Sequence, residues 1–586
     1  MHRREFVSLL TGLLPTSAAF GASVAGTSAD PPDIVVLNAN VVTVDATRFS
    51  AQAFAIRDGR FVAVGLNSEI AALRGNSTQV VDVGGKTVVP GFNDVHLHPR
   101  TIFERDSLYY TPWLGPDVAP TMEQLVEILR LKAAVTPPGK LVSGYGYDDV
   151  VLKRHPTRHD LDQASTVHPI SITHTSGHIT VVNTYVLQAS GLGPQTPDPP
   201  GGAFDRDPDG TPNGVVRESA RAAIASAVGP AHQVQIPPAE RIKGLRNCFR
   251  AYAAKGLTSV GIAGGSPEFL VEIKAVRDAG IPVRVGFMCQ QSSFEQFMQT
   301  GARQGLGDTQ LRLTAMKTFQ GNSLSGRTCW LRDAYSDRPG YFGIPPARSQ
   351  ADLDRDFRTM HDAGWQIATH SNGDREIDMV LTAIERAQAA NPRPDARHRV
   401  EHASVMNPEL LSRAQAASVI LVFHSYMWEH GEALASYGTE RLQYMHAYRT
   451  AIDSGIHVAG HSDSPISAAD PMLRIGDMVT RKSSHGIVYG AGQRVTIQEA
   501  IKVWTLDGAF ATFEEDVKGS ITPGKLADFV VLGADPRSVA PDDIKHVAIW
   551  QTYVGGKRVY DAAEAKTVAF DPPLVSWPHS SCCIPN

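Results

Sequence analysis

His96 and His98, separated by one residue, end the run TVVPGFNDVHLH. In extended chain alternate residues share a face, so both imidazoles can point to one spot beyond a strand end. Two imidazoles so placed are the start of a divalent-metal site. An H-x-H arises easily by chance in a chain with 21 histidines. The pair gains weight from four apolar runs that end in further metal-competent groups: Lys317 (LRLTAMKTF), His370 (GWQIATH), His402 (HRVEH) and Asp463 (IHVAGHSD).

These residues need elements that bring strand ends together. Eight strand-like runs, VVPGFNDVHLH, LTSVGIAG, VRVGFM, LTAMKTF, QIATH, HRVEH, VILVFHS and HVAGHSD, alternate with helical stretches such as DREIDMVLTAIERAQAA and PELLSRAQAA. That alternation marks parallel βα units. Eight of them predict an α/β fold, a (β/α)8 TIM barrel, whose active site lies at the carboxyl ends of the strands. Short alternating runs at both ends of the chain, DIVVLNANVVTV to TQVVDVGGKTVVP and KLADFVVLG to TVAF, predict one small β-sandwich shared by the two ends. The expected division is residues 30–89 and 513–570 for the sandwich, 90–100 for the first barrel strand and 236–512 for the rest of the barrel. Residues 101–235 form an insertion after the first strand, expected to hang over the mouth as a lid, and residues 571–586 form a tail.

With 42% apolar and 20% charged residues the composition is that of an ordinary globular protein, and the formal net charge of −5 comes without a basic stripe. Nucleic acid is therefore not an expected partner. A small-molecule substrate is expected, and homo-oligomerisation is left open. Residues 1–29 carry Arg3-Arg4, an apolar stretch and small residues suited to cleavage near Ala25 or Ala29. They read as a twin-arginine export signal, which predicts a periplasmic protein; an ordinary secretory signal is the alternative. No other segment is long and apolar enough to span a membrane. Cys248, Cys289 and Cys329 are scattered and Cys582 and Cys583 adjacent, which is neither a disulfide framework nor a spaced zinc motif.

The stretches PGFNDVHLH, HTSGH, KTFQGNSLSGRT, HSNGDREID, RHRVEHA, GHSDSPI and KGSITPGKLADFVVL, spread from Pro90 to Leu532, resemble the amidohydrolase superfamily, specifically the amidohydrolase 3 branch that includes N-substituted formamide deformylases. The resemblance implies that His96, His98 and Asp463 hold one metal and His370 and His402 a second. It also implies that Lys317, carboxylated by CO₂, bridges them. Read from its residue type alone, Lys317 could equally make a salt bridge or clamp a substrate carboxylate. Imidazole and carboxylate donors suit zinc, the expected ion in one or two copies, and also manganese, iron or cobalt. Asp463 is the candidate proton carrier between nucleophile and leaving nitrogen, or a ligand only. Asp94 and His461 share strand faces with His98 and Asp463 and are candidates to orient the ligands. His174 and His178 match a family H-x-x-G-H; one contacts substrate over the mouth, or the pair is structural. Tyr145, Tyr147, Tyr426 and Trp428 are candidates to line an apolar pocket. One departure stands out: where many relatives read KLFADGS this chain reads KTFQGNS, and the acidic group near the lysine is lost.

Together these features predict a metal-dependent hydrolase of a linear amide-type C–N bond, such as an N-substituted formamide or N-acyl amine. A heterocyclic-amine deaminase or an esterase on the same metal centre is the alternative, and a binding protein that keeps the barrel without catalysis is a third class.

Overall fold

A computed structural model describes residues 30–564. The predicted export segment, the run TVAF and Cys582 and Cys583 lie outside the described residues. The eight sequence-predicted runs form one parallel eight-stranded sheet in sequential order: β1 (Phe92–Leu97), β2 (Leu257–Gly265), β3 (Arg284–Gln290), β4 (Leu311–Phe319), β5 (Ile367–Ser371), β6 (Arg399–His402), β7 (Ile420–His424) and β8 (Val458–His461). Strands buried on both faces need apolar residues at nearly every position, which is why these segments read as continuous apolar runs. The ring closes between β8 and β1 just past the strand ends, where the His98 N–H donates to the Ser464 carbonyl at 2.8 Å and the Asp463 N–H to that of His96 at 3.0 Å. The chain has the predicted (β/α)8 barrel.

Helix starts are written locally. Ser266 and Asn407 accept hydrogen bonds from backbone N–H groups of the first turn, each followed by a proline at the first helical position, the pattern that satisfies orphan donors at a helix N-terminus. Beneath the mouth the barrel interior is closed by Val95, Ile420, Val422 and Ala459, and on the opposite wall by Ala263, Met288, Ala315 and Ala368.

Both chain ends build the β-sandwich. Thr87–Pro90, the strand that leads into β1, pairs antiparallel with Phe529–Leu532 inside a six-stranded sheet. A four-stranded sheet covers it, with Val36, Phe54, Phe61, Phe529 and Val531 packed between. Phe529 stacks on Tyr553 at 4.3 Å. A buried bidentate pair, Arg284 on β3 to Asp528 at 2.7 and 2.9 Å, joins sandwich to barrel.

The insertion between β1 and β2 is a folded layer with its own core. Its five strands run Gly202–Arg206, Pro212–Glu218, Ile179–Val182, Ile170–His174 and Val142–Tyr147 across the sheet. Helix Met122–Val135 packs Leu125 and Leu129 onto Val142, Ile172 and Val181. It is tied to the loop after β4 by Arg327, which donates to Asp149 at 2.5 Å, and by Thr328, whose hydroxyl donates to Glu218. Among the described residues no helix is long and apolar enough to cross a membrane.

Candidate metal centre

His96 is oriented from behind. Its Nδ1 lies 2.5 Å from a carboxylate oxygen of Glu401, and Glu401 is gripped by Arg399 at 2.7 and 2.8 Å, all within the barrel wall. Burial alone would raise the Glu401 carboxyl, but the Arg399 guanidinium and His96 hold it well below the usual range. A carboxylate behind an imidazole fixes the ring and commits one nitrogen, as metal-binding histidines require. Nε2 is the atom left to face the mouth.

Around that atom the strand ends converge. Asp463 Oδ1 stands 3.3 Å from His96 Nε2 and 3.3 Å from His98 Nε2. Ligand atoms about 2.0–2.1 Å from a common tetrahedral centre stand about 3.3–3.4 Å apart, so Asp463 stands at ligand spacing from each of the two histidines, and one ligand atom each of His96, His402 and Asp463 lies within 4.8 Å of the other two. Lys317 Nζ lies 3.2 Å from His96 Nε2 and 4.9 Å over the Phe319 ring. Its stem passes Gly264, where an added Cβ would stand 3.1 Å from it. Burial pushes His98 down to about 4 and holds His370 and His402 well below the ordinary histidine range; these rings are neutral at pH 7 and keep a lone pair for a ligand. Burial would raise Asp463, yet its contacts with His96 and His98 hold it well below the usual carboxylate range.

Two ligand candidates sit in the left-handed region, His402 at φ 71° and Asp463 at φ 54°. For non-glycine residues this costs on the order of 1 kcal/mol or more. The turn at His402 explains why consecutive residues both reach His96: Glu401 by hydrogen bond, and His402 with its ring 4.9 Å away. Asp94 acts through the backbone. Its carboxylate accepts from the N–H and hydroxyl of Ser462 and the N–H of His96, so it sets the two segments that carry His96 and Asp463; burial pushes it up to about 6. His461 stacks on His96 at 4.8 Å.

His370 stands on the other side of the mouth, its ring 4.6 Å from that of His402. Its Nε2 donates to the Asn322 carbonyl at 3.0 Å, which also accepts from Asn372 at 2.8 Å. Here the departure in KTFQGNS acquires a cause. Gly321, at φ +119°, leaves the space taken by the buried carboxylate of Glu376, which an added Cβ would meet at 2.1 Å. Glu376 accepts four backbone N–H groups, from Asn322, Trp330, Asn372 and Gly373.

The two insertion histidines part company. His174 is engaged at both nitrogens, with Asp149 at 3.0 Å and Ser176 at 2.8 Å, inside the contacts that pin the insertion down. His178 reaches the mouth: its ring is 5.1 Å from that of His370, and its Nδ1 lies 2.7 Å from buried Glu218. Tyr145 and Tyr147 are core residues whose hydroxyls meet Thr175 and His155. Trp428 lies under Lys545, whereas Tyr426 packs on His424 at 3.9 Å.

The model of the Amidohydrolase family matches residues 79–560 of this sequence. The chain belongs to that family. The amidohydrolase is thus a metal-dependent hydrolase acting on carbon–nitrogen bonds, as the sequence motifs implied. It is 29% identical over 530 residues to the Bacillus subtilis (strain 168) protein YtcJ, covering 87% of this chain and 96% of the relative. It is 28% identical over 557 residues to an N-substituted formamide deformylase of Arthrobacter pascens, covering 90% and 98%. Among solved structures, an uncharacterized metal-dependent hydrolase from Pyrococcus horikoshii OT3 shares the fold at TM-score 0.67 and 22% identity, covering 87% of this chain and 99% of that one.

Several residues of the amidohydrolase site escape a reading of the sequence. Arg399 and Glu401 carry a faint signal, two opposite charges one residue apart inside a buried strand. Glu218 carries none, being 40 residues from His178 in the chain. His424 ends the quoted run VILVFHS, yet nothing in the sequence shows what stands beside it.

Proposed function

We propose that the amidohydrolase cleaves a linear amide-type C–N bond, in an N-substituted formamide or N-acyl amine, at a divalent ion, with zinc as the expected metal. His96, His98 and Asp463 would hold it, and Lys317, His370 and His402 complete the donor set. The observation that carries this reading is Asp463 standing 3.3 Å, a ligand spacing, from both His96 and His98, with His96 oriented by Glu401. When bound, the ion supplies an acidified water and a Lewis acid for the carbonyl oxygen. Asp463 takes a proton from the water with its second oxygen and returns it to the departing nitrogen. His178, braced by Glu218, faces the mouth from the insertion and positions the substrate. The formamide deformylase among the relatives supports an amide over a ring amine or ester. A product-resolved screen of the zinc-loaded protein on N-alkyl formamides, N-acyl amines, aminoheterocycles and esters tests it. Amine plus carboxylic acid is the expected product pair; ammonia or alcohol as the main product overturns the reading.

Lys317 is proposed to work as its carbamate. Its ammonium sheds one proton, and the neutral amine then adds to CO₂ with loss of a second, turning a cation into an anion with two oxygens beside His96. Reconstitution of metal-free protein with zinc is expected to be faster with added bicarbonate. Lys317→Ala should lose activity, with partial rescue by short carboxylic acids. A bare amine in high-resolution density, with full activity in CO₂-depleted buffer, would replace the carbamate by a substrate clamp.

A further inference from the structure

Behind His370 lie buried polar side chains that the proposed centre leaves without a task. Asn372 stands two residues past His370, beyond the end of β5, and Ser404 two residues past His402, beyond the end of β6. Asn322 belongs to the loop after β4, and His446 to the segment between β7 and β8. All four are buried, Ser404 and His446 completely. Glu376 accepts the backbone N–H groups of both Asn322 and Asn372, so the two asparagines are fixed relative to each other.

The direction of each hydrogen bond in this set follows from donor and acceptor chemistry. A carbonyl oxygen carries no hydrogen, so the Asn372 side-chain atom 2.8 Å from the Asn322 carbonyl is the amide nitrogen, and Oδ1 faces Ser404. The Ser404 hydroxyl donates to that oxygen at 2.6 Å. With its hydrogen committed, the serine oxygen accepts from His446 Nε2 at 3.2 Å, while the His446 N–H donates to the Ser404 carbonyl at 3.0 Å. Burial holds His446 down to about 3, so its ring is neutral at pH 7. At the other end His370 Nε2 lies 3.0 Å from the same Asn322 carbonyl and 3.2 Å from the Asn372 nitrogen. Two lone pairs facing each other at 3.0 Å would repel, so Nε2 carries the hydrogen and the carbonyl receives two donors. The lone pair of His370 is therefore on Nδ1, which makes no hydrogen bond among the described residues.

We propose that Asn372 is a positioning residue for His370: with Ser404 and His446 behind it, Asn372 holds the Asn322 carbonyl that commits Nε2, and so leaves Nδ1 as the atom His370 offers to a metal. The inference rests on the proposed function in taking His370 as a ligand. An outer hydrogen bond that fixes the tautomer is what metal-bound imidazoles have. His96 is committed the other way, by Nδ1 to a carboxylate of the barrel wall. The two rings are thus set by different devices, a buried ion pair behind one and an uncharged brace behind the other. Because Ser404 follows His402 so closely, the same brace ties the segment that carries His370 to the segment that carries His402.

The test compares zinc affinity, by chelator competition on the full chain, in the wild type, His370→Ala, Asn372→Leu and Ser404→Ala. Leucine is close to asparagine in size and can neither hold the carbonyl nor accept from Ser404. His370→Ala should weaken binding most, Asn372→Leu by about 10-fold, and Ser404→Ala in the same direction. The nitrogen NMR spectrum of metal-free, histidine-labelled protein reads the tautomer. The His370 signals, identified by their absence from His370→Ala, should show the hydrogen on Nε2 in the wild type and a mixture of tautomers in Asn372→Leu, a change that a merely structural role would not produce. Wild-type zinc affinity in Asn372→Leu beside a loss in His370→Ala, or a wild-type hydrogen on Nδ1, overturns the brace and leaves the proposed function standing. Wild-type affinity in His370→Ala removes His370 from the proposed donor set and the brace with it. Should Asn372→Leu fail to fold, Ser404→Ala decides in its place, since it keeps the Asn372 amide, and unchanged affinity there overturns the brace in the same way.

Discussion

Asp463→Asn is expected to lower turnover by about 10² to 10⁴ while the protein keeps its metal. Asparagine preserves the size of the side chain and one oxygen 3.3 Å from His96 and His98, so a ligand remains. What disappears is the group that takes and returns a proton. A variant of a histidine ligand would lose metal and turnover together, and this one should separate them. The measurement is kcat on the substrate class found by screening, with metal content determined on the same preparation. Near-normal turnover would assign the proton to another group, with His178 backed by Glu218 next in line.

Arg399→Met should cost about 3–5 kcal/mol of folding stability. Arg399 and Glu401 are both fully buried, and removing the guanidinium leaves a carboxylate in the barrel wall with His96 as its remaining charge-compensating neighbour. Changing both residues, Arg399→Met with Glu401→Gln, should recover most of that loss, because it is an unpaired buried charge that is costly rather than the absence of a pair. The double variant should still bind metal about 10- to 100-fold more weakly, since His96 loses the carboxylate that orients it. Denaturant unfolding of the three proteins, with metal titrations, reads both effects. An unchanged unfolding midpoint for the single variant would show that the pair is not structural.

The barrel was legible because its strands are buried on both faces and bounded by helices with written caps, and the first candidate ligands could be named because the fold puts its chemistry at strand ends. Sequence gave less where function depends on register. His424 stands beside His461 only because β7 and β8 pair in register, and that alignment is a property of the closed ring. Glu218 meets His178 only because two strands of the insertion pair, in a sheet whose strand order departs from chain order. The replaced acid in KTFQGNS could be seen but not interpreted, because the carboxylate that fills the space at Gly321 comes from Glu376, in the helix that follows β5.

The hydrogen bonds that shut the ring are made by the segments that carry the candidate ligands: His98 to Ser464 and Asp463 to His96, with Asp94 bound to Ser462 across 368 positions of chain. Contacts that distant in sequence are slow to form, so this clasp belongs to the late stages of assembly. The donors from β1 and from the end of β8 meet only when the clasp fastens, and a nascent chain reaches metal competence and barrel closure in the same event. Any ion that grips both sides then works as a rivet through the joint, stabilising the closed ring by its own binding energy.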